Sequence, residues 1–277
     1  LKMIYIMHLE IFKNKFITNI KLDQKLAKFT WFDVGGNAEV LFIPEYENSL
    51  IEFLKEKPQE YKVFAIGAGS NLLIRDKGIN GIVLVTKNLK KISIDNNGII
   101  SAQAGATDAD VARFARDYER AGLEFLLGIP GTIGGGIKMN SGAFGSEFKD
   151  VLIDVTAINN SGELNVFSNQ ELKMDYRKIG ISDEWIFCKA RFKSFCDNRK
   201  NIENKMKKIL NLRKTAQPTG IKTGGSTFKN PIGHKAWKLI DQAGCRGLKI
   251  GDAIISEKHC NFIINLKNSS AQQIEEL

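Results

Sequence analysis

Three glycine-bearing stretches hold the residues of this chain whose types and spacing could do chemistry. The first is Gly67-Ala68-Gly69-Ser70-Asn71-Leu72, entered from the apolar run 63–66. The second is GIPGTIGGGIKMNSGAFG, residues 128–145, with seven glycines in eighteen positions. The third is Gly224-Gly225-Ser226, with Lys229 three residues on. Consecutive backbone N–H groups in a glycine-permitted turn form a concavity for an anion, and glycine runs let another molecule approach the main chain closely. Ser70 and Asn71 add a hydroxyl and an amide to the first loop; Thr132, Asn140 and Ser141 are the polar points of the second. A serine without a base is a poor nucleophile. It can donate a proton when the reaction itself creates a strong base and a cation such as Lys229 steadies the alkoxide left behind. Taken singly, the first and third stretches are equally compatible with structural turns.

Other chemistries are excluded by residue type and spacing. A dinucleotide-binding βαβ fingerprint needs a third glycine three residues after the second, and that position is Leu72. There is no G-x-S-x-G elbow, and His8, His234 and His259 are too scattered for a serine hydrolase triad. Cys188, Cys196, Cys245 and Cys260 form no C-x-x-C pair, and adjacent His259-Cys260 is not a ligand spacing, so no metal site is expected and reduced thiols in a cytoplasmic protein fit best. The net charge of +9, from 40 basic and 31 acidic residues, favours anionic partners. The lysines are spread along the whole chain, however, which is the pattern of a solvated surface. Lys, His and Glu interrupt the apolar residues of the opening LKMIYIMHLEIFKNKF, so neither a secretory leader nor a membrane span is expected, and Met3 and Met7 are candidate starts.

The elements that must position these residues are read from periodicity. Strands are expected at 63–66, 82–85, 92–94 and 99–104. A helix follows, capped by Thr107, with Asp108 and Asp110 at its positive end and Val111, Phe114, Ala115 and Tyr118 on one face; Gly122 is expected to end it. The glycine-rich stretch 128–145 is expected to hold no ordinary helix or central strand. Strands at 151–158, 164–167 and 185–192 come next, then a basic amphipathic helix from about Asp197 with Ile202, Met206, Ile209 and Leu210 inward. A loop with Pro218 and KTGGSTFKNP leads to a short helix around 237–243 and a strand at 262–264. Three parts result, 1–86, 87–196 and 197–277. The two glycine loops, about sixty residues apart with strands between, suggest an elongated ligand bridging two lobes, and a dinucleotide cofactor has that shape.

In order and spacing the chain resembles the UDP-N-acetylenolpyruvoylglucosamine reductase family, bacterial flavoenzymes of cell-wall precursor synthesis. The resemblance is carried by FTWFDVGGNAEVLFIP, GAGSNLLIRDKGINGIVL, GIPGTIGGGIKMNSGAFG, DYRKIG, GGSTFKNPIG and AWKLIDQAGCRGLKIGDAIISEKHCNFIIN. It implies an α+β class: a vanillyl-alcohol-oxidase-type FAD-binding fold of two subdomains, 1–86 and 87–196, plus an α+β substrate-binding domain at 197–277. Gly67, Ala68, Gly69, Ser70, Asn71 and Leu72 would then cradle the FAD diphosphate, and Pro130, Gly131, Thr132, Gly134, Gly135, Asn140, Gly142 and Ala143 would line its other side. Leu72 is no defect in such a loop. The implied reaction is reduction of UDP-N-acetylglucosamine enolpyruvate by NADPH through FAD. Ser226 falls on the family's proton-donating serine and Arg177 of DYRKIG on its active-site arginine, which can hold a carboxylate or developing enolate. Lys229, Asn230 and Lys214 are the implied substrate contacts. A cytoplasmic monomer with no nucleic-acid or membrane partner is implied.

The chain departs from the family at several points. No residue matches the family's second catalytic acid, a glutamate in a segment returning to the flavin domain: Glu275 and Glu276 come too early, and Glu257 belongs to another motif. The expectation is a truncated chain or compromised activity. A lysine often found before the Gln-Pro pair is Ala216 here, which moves diphosphate binding to other groups, with Lys214 and Lys222 as candidates. There is no sign of the inserted loop that carries a substrate-binding tyrosine, which points to the subgroup lacking it. The competing readings are another FAD oxidoreductase of the same fold, a flavin scaffold without turnover, and a basic nucleic-acid binder using the helix after Asp197. Ser226 with Arg177 argues against the first, and the absence of a binding motif or interleaved aromatics argues against the last.

Overall fold

A computed structural model describes residues 15–277; Met3, Met7 and His8 lie outside the described residues. Three sheets follow one another along the chain. The first contains β1 (Ile20–Lys25), β2 (Asn37–Phe42), β3 (Val63–Ile66) and β4 (Ile79–Val85) in the order β1-β2-β4-β3. β4 is parallel to β2 and β3, and β1 is antiparallel to β2. The central strand ends in an unbroken apolar run because both of its faces are covered. Val40, Phe42, Ile82 and Leu84 pack with helix α1 (Glu47–Glu56), while Ala38, Leu41, Val83 and Val85 form a separate cluster on the other face. Leu50, Phe53 and Leu54 recur at helical spacing on α1, and the Phe53 ring stacks on Phe42 at 3.6 Å between centroids.

The second sheet is antiparallel throughout. It holds β5 (Ile92–Ile94), β6 (Ile100–Gln103), β7 (Leu152–Ile158), β8 (Leu164–Ser168) and β9 (Ile186–Phe192) in the order β8-β7-β9-β6-β5. Ile158, Ile186 and Cys188 reach the core shared with Phe42 and Phe53, which fixes the two sheets against each other. Helix α2 (Asp108–Asp117) starts as its sequence implies, with the Thr107 hydroxyl accepting the Asp110 N–H at 3.0 Å. It stops earlier than Gly122. Glu119 turns left-handed at φ 54°, and Gly122, at φ 103°, redirects the chain afterwards.

The stretch 128–145 does contain a helix, α3 (Ile133–Lys138), against the expectation that none could form there. Glycine disfavours a helix by about 1 kcal/mol per residue relative to Ala. Tertiary contact outweighs this. A Cβ on Gly136 would lie 2.4 Å from the Phe148 ring, and one on Gly134 would lie 3.0 Å from the Ala104 Cβ. The glycines are what let α3 dock so closely beside β6 and the short helix α4 (Phe148–Val151).

Helix α5 (Arg199–Ala216) lies after the expected limit at residue 196, and its Ile202 and Met206 complete the second core. Leu210, expected inward, is 46% exposed, because the last turns of α5 run past that core to the edge of a cleft. The third sheet comprises β10 (Lys222–Ser226), β11 (Lys249–Ile250), β12 (Ala253–Ile255) and β13 (Phe262–Asn265), antiparallel in the order β10-β13-β12-β11. β10 forms where the sequence reads as loop: its glycines fall at a register shift between Thr223 and Ser226. Helix α6 (Ala236–Gln242) and helix α7 (Ala271–Glu276) complete the part. The Asp76 carboxylate accepts the Ala271 and Gln272 N–H groups at 2.9 and 3.1 Å, and Phe32 and Val34 cluster with Ala253, Ile263, Ala271 and Ile274. The third part is thereby held to the first, and the α+β class is borne out.

Candidate active site

A cleft of about 2220 Å³ lies where the three parts meet. All of Gly67 to Leu72 line it, as do Pro130, Gly131, Thr132, Gly134, Gly135, Asn140, Gly142 and Ala143. Arg177, Lys214, Ser226 and Asn230 line it as well. Lys229 is exposed and is not among the lining residues.

The first loop leaves β3 and turns at Gly69, whose φ of 65° suits glycine and whose missing Cβ would lie 1.9 Å from the Phe29 carbonyl oxygen. Gly67 faces the second loop: a Cβ there would stand 2.1 Å from Thr132 Oγ1. Two loops distant in sequence thus meet backbone against side chain. Asn140 plays a different part from the one its sequence position suggested. Its amide donates to Glu147 at 2.9 Å and to the Asp175 carbonyl at 3.4 Å, and its Oδ1 accepts the Lys149 N–H at 2.9 Å. The side chain is buried and turned into the protein, pinning the end of the glycine-rich stretch to the turn at Asp175.

That turn presents the arginine. Asp175 and Lys178 exchange backbone hydrogen bonds of 3.0 and 3.1 Å, leaving Tyr176 and Arg177 at the tip, with Arg177 left-handed at φ 51°. Such a conformation is uncommon for a bulky residue and concentrates at functional sites. Arg177 Nη2 donates to the Ser226 carbonyl at 2.9 Å, and the Asn230 N–H donates to the Tyr176 hydroxyl at 3.2 Å. The second part thereby grips the third at the candidate serine. Asn261 holds the loop from the other side, accepting from Phe228 N–H at 2.8 Å and donating to its carbonyl at 2.9 Å. Gly225, left-handed at φ 77°, has the Ser70 carbonyl oxygen 3.9 Å from the place of its absent Cβ, so the serine loop borders the first glycine loop across the cleft.

Residues that sequence reasoning did not assign to the site also line the cleft, among them Tyr176, Arg213 and Asp108. Tyr176 stood beside Arg177 in the motif. Arg213 carries a buried Nε with no hydrogen-bond partner, and burial lowers its pKa. Its neighbour Lys214 lines the same wall, whereas Lys222, the other candidate for diphosphate binding, pairs with Asp33 at 2.6 Å. Asp108 is fully buried with neither carboxyl oxygen hydrogen-bonded, and burial drives its pKa well above the usual carboxylate range. Thr132 Oγ1 is likewise buried and unpartnered. His259, beside Trp237 and Phe262 in the cleft wall, has its pKa lowered by burial, which favours the neutral ring.

These features fit a dinucleotide cofactor. Glycines let the two loops pack tightly along the cleft, Phe64 and Ala65 add exposed apolar surface, and unpartnered polar groups lie at its wall. A family description of an FAD binding domain matches residues 38–168, and that of the UDP-N-acetylenolpyruvoylglucosamine reductase C-terminal domain matches residues 217–277. A UDP-N-acetylenolpyruvoylglucosamine reductase of Bradyrhizobium sp. (strain ORS 278) is 48% identical over 257 residues, 92% of this chain and 83% of that protein. This chain belongs to the UDP-N-acetylenolpyruvoylglucosamine reductase family.

Another reductase of the family, from Rickettsia bellii (strain RML369-C), is 42% identical over 272 residues, 98% of this chain and 89% of its own. The crystal structure of the family's reductase from Thermus caldophilus superposes with a TM-score of 0.82 at 33% identity, covering 93% of this chain and 92% of that one. The fold is the vanillyl-alcohol-oxidase-type flavin fold with an α+β C-terminal domain. An alkyldihydroxyacetonephosphate synthase shares the fold alone, with a TM-score of 0.51 at 14% identity over 68% of this chain. The glycine loop at Gly67 needs no third glycine, because the chain after Leu72 continues as loop and then β4 rather than as a helix packed on β3. Among the described residues no group of three His, Cys, Asp or Glu could hold a metal, and no helix is long and apolar enough to cross a membrane.

Proposed function

We propose that this chain reduces the enolpyruvyl double bond of UDP-N-acetylglucosamine enolpyruvate with NADPH and FAD, as a cytoplasmic monomer supplying a peptidoglycan precursor. The observation that carries the reading is the 2.9 Å hydrogen bond from Arg177 to the Ser226 carbonyl, which joins the residue proposed as carboxylate clamp to the one proposed as proton donor at the cleft wall. FAD, when bound, would supply the hydride chemistry that links NADPH to the substrate.

The chain's own residues do the rest. Backbone N–H groups of Gly67 to Leu72 would hold the cofactor's diphosphate, with the loop from Pro130 to Ala143 facing it across the cleft. Arg177 uses its remaining donors to clamp the substrate carboxylate and to stabilise charge that develops beside it. Ser226 delivers the proton that completes reduction, with Arg177 rather than Lys229 as the cation near it. Arg213 and Lys214 take the substrate's diphosphate, the role left open by Ala216, and the orphaned Nε of Arg213 supports this. Asn230 contributes from the serine loop, where its Oδ1 also accepts the Ala236 N–H at 2.9 Å. Four unpaired cysteines support a reducing compartment.

The experiment is an anaerobic absorbance spectrum of the purified protein, first with NADPH and then with the enolpyruvyl sugar. Bleaching of a flavin band by NADPH and its return with the sugar are expected. A colourless protein that takes up no added FAD overturns the flavin reading, and bleaching without return in a chain that carries the family's C-terminal glutamate overturns the assigned substrate.

A further inference from the structure

Asp108 begins α2 at the point where the helix touches the second glycine loop. Its backbone N–H donates to the Gly131 carbonyl at 3.2 Å, its neighbour Thr107 forms an isolated bridge with Thr132, and a Cβ on Gly131 would lie 2.7 Å from Asp108 Oδ2. Asp108 is therefore a residue of the cleft wall whose carboxyl lies directly under the loop, fully buried and without one hydrogen bond. Leaving a buried polar group unpaired is destabilising. A carboxyl serving only the helix terminus would not need this burial, since Asp110 serves it from an exposed position and pairs with Arg113 at 3.0 Å. Thr132 Oγ1, wedged between Gly67 and Gly135, is the second orphan of the same corner.

We infer that the Asp108 carboxyl, together with the Thr132 hydroxyl, binds a hydroxyl group of the flavin cofactor. This rests on the flavin reading above. A sugar or ribityl hydroxyl both donates and accepts, so it satisfies a carboxyl in either protonation state, whereas a phosphate would repel a carboxylate. Burial also raises the Asp108 pKa, which adds a donor to the pair's acceptors. The diphosphate is left to the backbone N–H groups of the first loop.

The test measures flavin release on dilution of the holoprotein, read by flavin fluorescence, for the wild type, Asp108→Ala, Asp108→Asn and Thr132→Val, with melting temperatures of the loaded and flavin-stripped forms. Asp108→Ala is expected to raise the FAD Kd at least about tenfold, and Thr132→Val to raise it in the same direction. Asp108→Asn, which keeps a neutral donor and acceptor, is expected to stay within about threefold. Flavin-stripped Asp108→Ala should melt no lower than the stripped wild type, while the stabilisation that FAD confers shrinks. Repetition with FMN identifies the hydroxyl: a matching loss for FMN assigns the ribityl chain, and a loss confined to FAD assigns the adenosine ribose. Asp108→Ala that binds FAD like the wild type, or that loses stability equally with and without FAD, overturns the inference. A wild type that takes up no FAD overturns the flavin reading with it.

Discussion

Arg177 Nη2 donates a 2.9 Å hydrogen bond to the carbonyl oxygen of Ser226, joining the tip of a turn between β8 and β9 to the end of β10. Forty-nine residues separate the two in the chain. The bond spends one of the guanidinium's five N–H donors and leaves four on a residue that lines the cleft together with Ser226.

Arg177→Lys keeps the charge and loses the fork. We expect reduction of the enolpyruvyl substrate to slow at least about tenfold and its KM to rise, while the rate at which NADPH bleaches the flavin is unchanged, since the proposed mechanism uses this side chain only in the second half-reaction. Stopped-flow measurement of the two half-reactions separates them.

Ser226→Ala removes the proposed acid and leaves the Arg177 contact, which is made to the main chain. The expected result is normal FAD content, normal oxidation of NADPH, and reduction of the substrate slowed about a hundredfold or more. Near-normal reduction removes Ser226 from the role.

Gly69→Ala places a methyl group where the Phe29 carbonyl oxygen stands 1.9 Å away and forces a left-handed backbone on alanine. The strain of such a residue alone is about 1–3 kcal/mol. A lower melting temperature and a reduced flavin-to-protein absorbance ratio are expected together, because the loop that bends is the loop assigned to the diphosphate.

Arg213→Gln is expected to weaken the UDP-sugar substrate at least about tenfold with FAD content unaltered. Both values follow from steady-state kinetics and the flavin spectrum. Equal losses of cofactor and substrate would place Arg213 in the scaffold instead.

Burial pushes the Cys188 thiol up to about 12 from an ordinary value of 9.0. A pKa raised in the folded state gives stability that is complete below the unfolded value and is lost as pH rises through the folded one. The Cys188 contribution therefore falls away between about pH 9 and pH 12, and Cys188→Ala should flatten that part of the stability profile. At pH 8 a thiol reagent should modify exposed Cys196 quickly and reach Cys188 only after unfolding.

The elements nearest the regular case were legible in the sequence. Thr107 and the Val111, Phe114, Ala115 stripe marked α2, and alternating apolar residues marked β7 and β9, because periodicity and capping act over a few neighbouring residues. α1 passed unread although its buried face is well formed: Leu50, Phe53 and Leu54 follow an N-cap tyrosine, and the capping contact comes from Ser49, three residues inside the helix. α3 was contradicted by its own glycines, since the Phe148 and Ala104 contacts that hold it belong to distant elements. Leu210 has core character by type, and only the end of the second core against α5 decides that it meets the cleft.

The same division runs through the site. The glycine loops stood out by residue type and order, whereas Ser226 and Arg177 of DYRK were singled out through the order and spacing of motifs along the whole chain that carry the family resemblance. That Asn140 turns inward, that Lys222 pairs with Asp33, and that Lys229 stays off the cleft wall while Arg213 joins it were decided by tertiary structure. So was the character of Asp108, which as sequence is a helix-terminal acid and in the fold is a carboxyl stripped of water and partners. Residue type sets what a side chain can donate, accept or ionise. Its surroundings, assembled from segments far apart in the chain, determine the solvent and partners it meets, and with them which of those capacities it uses.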